Sequence, residues 1–211
     1  MTISLPVTWR RGDRVLDAGA GPGRFSAAMA NRGAVVTVLD ISDGQLDLAR
    51  ETVARAGADH NVADYIRGDI CDLAMFTDGA FDAVVCFGGA LSYACDRRQA
   101  AADELVRVVR PGGVILVSVM CLTGAVLNNC VRVPEMPLLS RPDEIIGGVA
   151  LRPPMETGYL GRQTSGPIGL EHPAMFLFTD RTLRPLFPSS EVLETAASNV
   201  TIEERQTVAR R

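Results

Sequence analysis

The sequence predicts an α/β fold with a doubly wound, mostly parallel sheet. Two observations carry this prediction. Short β-branched runs alternate with amphipathic helical segments through the first 120 residues, and a glycine-rich turn follows the first apolar run. Strands that alternate with helices pair in parallel through right-handed crossovers. The 211 residues are expected to form a single domain, with a core over about 14–120, an insertion over about 122–178 and a C-terminal helix and strand over 179–211.

The first element is a buried strand that ends near Val15 and Leu16 and leads into a turn with three alternating glycines and then a helix over 24–32. Glycine lets the backbone approach a ligand where a Cβ would collide. A dinucleotide site has the spacing G-x-G-x-x-G. From Asp17 to Gly23 this sequence instead has D-x-G-x-G-x-G, and Arg24 stands where a dinucleotide site has its third glycine. The turn therefore predicts either a different ligand or a tight turn without a ligand.

The second strand, over 34–40, ends in an acid. An acid at this position can accept hydrogen bonds from both hydroxyls of a ribose, and Asp40 is the candidate. Ser42 and Gln45 are spaced as a capping box. They predict a helix that runs to about Ala56.

Three further strands are predicted over 62–67, 81–87 and 114–119. The first of them is followed by Gly-Asp-Ile over 68–70, and a helix over 96–110 with a Pro-Gly-Gly turn precedes the last. The turns after adjacent parallel strands meet at the carboxyl edge of the sheet, which is where open α/β sheets bind ligands. We therefore expect the glycine-rich turn, Asp40 and Asp69 to lie close together.

Residues 14–120 resemble the class I S-adenosylmethionine-dependent methyltransferases. The resemblance rests on the D-x-G-x-G-x-G turn and on the helix, Pro-Gly-Gly and strand between Leu105 and Val119. It implies a Rossmann-like fold and S-adenosyl-L-methionine as the cofactor. Asp40 would then hold the ribose, Asp69 the adenine amino group, and Phe87 with Gly88 would lie near the transferable methyl group. The implied cofactor-binding residues are Asp17, Gly19, Ala20, Gly21, Gly23, Asp40, Ile41, Asp69, Ile70, Phe87 and Gly88.

The candidates for the chemical step are His172 and Tyr93. His172 precedes a proline and an apolar run, as in several small-molecule methyltransferases, and is a candidate general base or substrate contact. The alternative is a loop histidine without a catalytic role. Tyr93 is a candidate for orienting the substrate, or else packs at the start of a helix. Residues 122–178 are expected to form a substrate cap of little regularity, and a sixth strand is expected over 191–197 with a short seventh over 206–210.

The resemblance implies methyl transfer to an O, N or C nucleophile of a small molecule. One alternative is a methyltransferase-like protein that binds the cofactor and serves as a binding partner without transfer. A nicotinamide-dependent dehydrogenase is disfavoured by the glycine spacing. An RNA methyltransferase is disfavoured because the net charge is −4 and an Asn/Asp-Pro-Pro motif is absent after the fourth strand.

Composition excludes other chemistries. The sequence contains no lysine, which rules out Schiff-base and P-loop mechanisms. Its five cysteines form no C-x-x-C pair, and with two histidines they predict no metal site. No apolar run approaches the roughly 18 residues of a membrane span, and no signal peptide is evident. We therefore expect a cytoplasmic protein without a membrane partner; whether it forms a homodimer is left open.

Overall fold

The computed structural model describes residues 10–125, 145–146, 149–150, 152–165 and 170–195. The chain divides into two compact units, Met1–Val119 and Met120–Arg211. The expected single domain stays a prediction. Among the described residues, no helix combines the length and the apolar character that crossing a membrane requires.

The first unit contains a five-stranded parallel sheet in the order β3-β2-β1-β4-β5. The predicted doubly wound α/β fold is thus confirmed. Its strands are β1 Arg14–Ala18, β2 Val35–Asp40, β3 Val62–Arg67, β4 Phe81–Cys86 and β5 Val109–Val117. Its α-helices are α1 Arg24–Ala30, α2 Asp43–Arg55, α3 Ala90–Tyr93 and α4 Arg98–Val108, and 3-10 turns lie at Asp59–Asn61 and Cys95–Arg97.

The core of this unit follows from the sequence pattern. The central strands β1 and β4 are almost continuously apolar and are buried, as expected of parallel strands that are covered on both faces. Helix α2 buries Leu46, Ala49 and Val53, which recur at helical spacing. Helix α4 buries Leu105 and Val108 in the same way. This packing fixes the turns at the carboxyl edge of the sheet.

The junction between α4 and β5 differs from the prediction. The helix ends at Val108 rather than at Arg110, and the strand begins at Val109 rather than at Val114. The register jumps from Phe81 opposite Val109 to Ala83 opposite Val114, so the intervening residues bulge from the ladder. Pro111 explains the bulge, since proline has no N–H to donate to a neighbouring strand.

The second unit contains short elements that the sequence did not predict within 122–178. Three antiparallel pairs form: β6 Ile145–Ile146 with β7 Val149–Ala150, β8 Tyr159–Leu160 with β11 Met175–Phe176, and β9 Gln163–Ser165 with β10 Leu170–His172. Helix α5 spans Arg152–Thr157, and α6 spans Asp180–Leu183 and is followed by a 3-10 turn at Arg184–Leu186. At the start of α6, the N–H of Thr179 donates to Thr182 Oγ1 at 2.9 Å.

The predicted sixth strand over 191–197 is wrong for the residues that are described. Residues 191–195 form no strand. Their two large apolar side chains, Val192 and Leu193, are adjacent rather than alternating, and both are exposed. A strand buried on one face needs an alternating pattern. Residues 196–197 and the expected seventh strand over 206–210 lie outside the described residues.

Candidate functional site

The candidate site is the carboxyl edge of the sheet in the first unit. The turns after β3, β2, β1 and β4 follow one another along this edge because the strands are neighbours in that order. The backbone N–H groups of Gly19 and Ala20 both donate to the carbonyl of Leu39, at 2.8 and 2.9 Å. The glycine-rich turn after β1 is therefore attached directly to the end of β2.

Asp40 strengthens this attachment. It is the last residue of β2 and is only 8% exposed. One carboxylate oxygen accepts from the N–H of Gly21 at 2.8 Å, and the other accepts from the N–H of Ser42 at 2.9 Å. Each oxygen of an ionised carboxylate can accept a further hydrogen bond. Asp40 thus orders the turn and keeps acceptor capacity for a ligand.

Glycine stands at the three positions of the turn for different physical reasons. Gly19 and Gly23 both have a φ near +75°, and a Cβ on them would lie 2.4 Å from Cβ of Ala90 and 2.8 Å from Cα of Ala49. These two glycines are required by packing as well as by backbone conformation. Around Gly21, in contrast, a Cβ would meet only Oε1 of Gln45, at 3.8 Å. The middle of the turn is open.

Gln45 carries an unsatisfied polar atom beside this opening. Among the described residues, its Oε1 is the one buried side-chain oxygen or nitrogen without a hydrogen-bond partner. The predicted capping box is only half formed: Ser42 Oγ accepts from the N–H of Gln45 at 3.4 Å. The N–H of Ser42 already donates to Asp40, which removes the group that a Gln45 side chain would otherwise bind.

Asp17 is part of β1, two residues before Gly19, and its side chain lies inside the protein. It is 1% exposed, and its carboxylate accepts a hydrogen bond from the hydroxyl of Ser26 on α1. Burial raises the pKa of Asp17 to about 6, since removal from water disfavours the charged form. The bonds from Ser26 lower this pKa in part, and the negative charge of Asp40 raises it.

Asp69 follows β3 and holds its loop in shape. One carboxylate oxygen accepts from the N–H of Cys71 at 2.9 Å, and the other accepts from the guanidinium of Arg97 at 2.7 Å. Burial alone would raise the pKa of Asp69, but the bonds from Cys71 and the charge and bonds of Arg97 bring it below its usual range. The side chain is therefore an ionised acceptor at neutral pH.

Two apolar candidates beside these acids differ in exposure. Ile41, directly after Asp40, is 64% exposed, which leaves an apolar surface available to a ligand. Ile70, directly after Asp69, is buried. The sequence predicted both as ligand contacts, but the structure gives only Ile41 a large open surface.

The turn after β4 contains Phe87 and Gly88. The ring of Phe87 packs edge-on against Phe25 of α1, with 4.8 Å between the ring centroids. The N–H of Gly88 donates to Ser118 Oγ at 3.0 Å. Sequence reasoning missed Ser118, although its position just after the apolar run of β5 is a signal that it ends a parallel strand.

The two catalytic candidates lie in different units. Tyr93 is at the end of α3 in the first unit and is partly exposed. His172 is the last residue of β10 in the second unit, where its backbone pairs with Gln163. The alternative interpretation of His172 as a loop histidine differs from the structure, which places it in a short strand. Its role as a general base or substrate contact remains a prediction, as does that of Tyr93.

Comparison with known proteins identifies the family of this region. Residues 16–117 match the family described as a methyltransferase domain. Over 109 residues the chain is 43% identical to malonyl-[acyl-carrier protein] O-methyltransferase of Serratia marcescens, a match that covers 52% of this chain and 39% of that protein. Over 106 residues it is 40% identical to demethylmenaquinone methyltransferase of Clavibacter sepedonicus, covering 50% of this chain and 40% of that one. The matches thus span less than half the length of these relatives.

Solved structures agree with the fold. A SAM-dependent methyltransferase from Methanosarcina mazei superposes with a TM-score of 0.62 at 20% identity, covering 86% of this chain and 80% of that one. A protein from Pyrococcus horikoshii OT3 superposes with a TM-score of 0.66 at 22% identity, covering 90% and 80%. Together, the domain match, the relatives and the parallel sheet identify residues 16–117 as a methyltransferase domain of the class I S-adenosylmethionine-dependent type.

Proposed function

We propose that the chain binds S-adenosyl-L-methionine at the carboxyl edge of its sheet and transfers the methyl group to an O, N or C nucleophile of a small molecule. The observation that carries the proposal is Asp40. Its carboxylate fixes the glycine-rich turn through the N–H of Gly21 and still has unused acceptor capacity at the end of β2.

Three features of this edge suit such a cofactor. The space beside Gly21 is open within 4 Å except for Gln45 Oε1, so backbone and ligand can approach closely there. That Oε1 is buried without a partner, which is costly unless a donor is supplied. The exposed side chain of Ile41 offers an apolar surface to a flat base.

In this proposal the residues divide the cofactor between them. Asp40 accepts hydrogen bonds from the ribose hydroxyls, Asp69 accepts from the adenine amino group, and Ile41 and Ile70 pack against the base. The turn residues Gly19, Ala20, Gly21 and Gly23 hold the methionine part, with the buried Asp17 of β1 supporting the turn, and Phe87 with Gly88 lies near the reacting centre.

When bound, S-adenosyl-L-methionine supplies an electrophilic methyl group on a sulfonium centre. The chain then has to hold the acceptor in line and exclude water, and such alignment contributes roughly 7–11 kcal/mol to lowering a barrier. An acceptor that is already ionised needs no base. Where the acceptor carries a proton, His172 is the proposed general base or substrate contact, and Tyr93 is proposed to orient the acceptor.

The acceptor class rests on the relatives. The names of two of them give malonyl-[acyl-carrier protein] and demethylmenaquinone, and neither name refers to a nucleic acid. The sequence carries a net charge of −4, which also disfavours a polyanionic partner. We therefore propose a small-molecule acceptor.

Calorimetry with S-adenosylmethionine, S-adenosylhomocysteine and NADH tests the proposal. We expect the first two to bind and NADH not to bind. Asp40→Asn keeps the size of the side chain but removes its charge, and should weaken both affinities by about tenfold or more. Asp47→Asn is the matched control, because Asp47 is an exposed acid whose partner is Arg50 on the same helix.

Two outcomes would overturn the binding proposal: no affinity of the wild-type chain for either methionine compound, or an unchanged affinity in Asp40→Asn. Methyl transfer is tested separately, by measuring formation of S-adenosylhomocysteine across a panel of small-molecule acceptors. Binding without product across the panel would favour the alternative of a binding partner that lacks transfer.

A further inference from the structure

The loop after β3 is held by an arginine that comes from a different part of the chain. Arg97 ends the 3-10 turn Cys95–Arg97, which precedes α4. Its guanidinium donates to one carboxylate oxygen of Asp69 at 2.7 Å and to the carbonyl of Cys71 at 3.3 Å. Arg97 thus contacts both ends of the segment 69–71.

The contact is reciprocal. The thiol of Cys71 lies 3.8 Å from the carbonyl of Arg97 and donates to it, while the N–H of Cys71 donates to the second carboxylate oxygen of Asp69. The N–H of Asp72 also donates to the carbonyl of Asp69, at 2.9 Å. Each carboxylate oxygen of Asp69 therefore has one fixed partner, and together these partners set the plane of the carboxylate.

Asp69 remains accessible in this arrangement. Its side chain is 32% exposed, and each oxygen can accept one hydrogen bond more than it does. The side chain of Arg97 is 58% exposed, and exposed ion pairs contribute little to stability. We therefore expect the ion pair to affect the orientation of the Asp69 carboxylate rather than the stability of the fold.

We propose that Arg97 is a positioning residue that aims the carboxylate of Asp69 at the exocyclic amino group of the adenine base and so makes the site selective for 6-aminopurines. The inference rests on the proposed cofactor function and deepens it. A carboxylate that is fixed at both oxygens pays less conformational entropy when it binds the amino group than a free side chain does.

A cycle that combines a side-chain change with a ligand change tests the inference. The ligands are S-adenosylhomocysteine and its analogue with hydrogen in place of the 6-amino group. Binding of both is measured by calorimetry for the wild-type chain, Arg97→Ala, Arg97→Lys and Arg55→Ala. Arg55 is the matched control, because it forms an exposed ion pair with Glu51 on α2.

Arg97→Ala should weaken binding of S-adenosylhomocysteine by about fivefold and change binding of the deaminated analogue less than about twofold. Arg97→Lys should fall between the wild type and Arg97→Ala, since an ammonium keeps the charge but not the two-pronged contact to Asp69 and Cys71. Arg55→Ala should leave both affinities unchanged. Urea unfolding of each variant shows whether it is folded, and the lysine variant carries the test if the alanine variant is not.

Equal weakening for both ligands would mean that Arg97 only maintains the loop, and would overturn the inference. Unchanged binding of both ligands by Arg97→Ala would overturn it as well. If the wild-type chain binds neither ligand, the proposed cofactor function fails and the inference fails with it. That result differs from the first two, in which the wild type binds normally.

Discussion

The buried carboxyl of Asp17 should make the stability of the chain depend on pH in an unusual direction. Most carboxylates in proteins have a lowered pKa and stabilise the fold as the pH rises. Burial instead raises the pKa of Asp17 to about 6 in the folded chain, against 3.8 for an unperturbed aspartate. Between these two values the folded state binds more protons than the unfolded state. The contribution of Asp17 to stability is therefore greatest below pH 3.8 and is lost as the pH rises through 6.

The size of the effect follows from the two pKa values. A rise from 3.8 to about 6 corresponds to about 3 kcal/mol of free energy of unfolding. Most of this, about 2 kcal/mol, should be lost between pH 4 and pH 7. Solvent screens this effect little, because Asp17 is 1% exposed.

Urea unfolding of the wild type and of Asp17→Asn from pH 4 to pH 8 measures the effect. Other titrating groups act on both proteins, so the difference between their free energies of unfolding isolates Asp17. We expect the wild type to lose about 2 kcal/mol relative to the variant between pH 4 and pH 7. Ser26→Ala removes a hydrogen bond that lowers the pKa of Asp17. In this variant, the loss of stability should therefore be centred at a higher pH than in the wild type. A difference that stays constant across this range would refute the reasoning.

Two further predictions concern packing and thiol reactivity. Gly23→Ala should lower the free energy of unfolding by about 1–3 kcal/mol, more than Gly57→Ala, because both have positive φ but only a Cβ at position 23 meets Ala49; equal losses in urea unfolding would contradict this. Burial raises the pKa of the Cys86 thiol to about 12, so maleimide at pH 8 should label the exposed Cys121 in the folded chain and Cys86 only after unfolding. Peptide mapping by mass spectrometry measures the labelling of both cysteines, and rapid labelling of Cys86 in the folded chain would show the prediction to be wrong.

The sheet could be predicted from the sequence because its strands obey simple local rules. The strand over 62–67 is found with the predicted bounds, and α2 ends at Arg55, one residue before the predicted end at Ala56. These segments are long and regular enough for apolar periodicity to decide their structure. The junction at Pro111 was misplaced because the sequence signal of a proline–glycine turn does not distinguish the end of a helix from a bulge within a strand.

The second unit could not be predicted in the same way. Its strands are two or three residues long, and each is stabilised by its antiparallel partner rather than by a periodic apolar face. The pair formed by β8 and β11 joins residues 159 and 176, and nothing in a window of local sequence links them. Such pairing depends on contacts that are distant in sequence.

The same distinction between local and distant sequence applies to the residues of the candidate site. The acids at strand ends, Asp40 and Asp69, were found because their positions follow from the strand pattern. The groups that hold them were not, since Arg97 reaches Asp69 from 28 residues away. The spacing of Ser42 and Gln45 indicates a capping box, but the N–H of Ser42 donates to Asp40 instead, and Gln45 Oε1 has no partner.

Asp17 gives a physical reason to expect a ligand at this edge of the sheet. An ionised Asp17 lowers the stability of the folded chain by about 3 kcal/mol at neutral pH, a large fraction of the 5–15 kcal/mol that a typical domain has. This value already includes the bonds from Ser26, which reduce the cost, and the charge of Asp40, which increases it. Positive charge nearby would relieve both acids, because an opposite charge favours the ionised form. S-adenosylmethionine carries a net positive charge, because its sulfonium and amino groups outweigh its carboxylate, and this charge suits a site that contains two acids at the ends of β1 and β2.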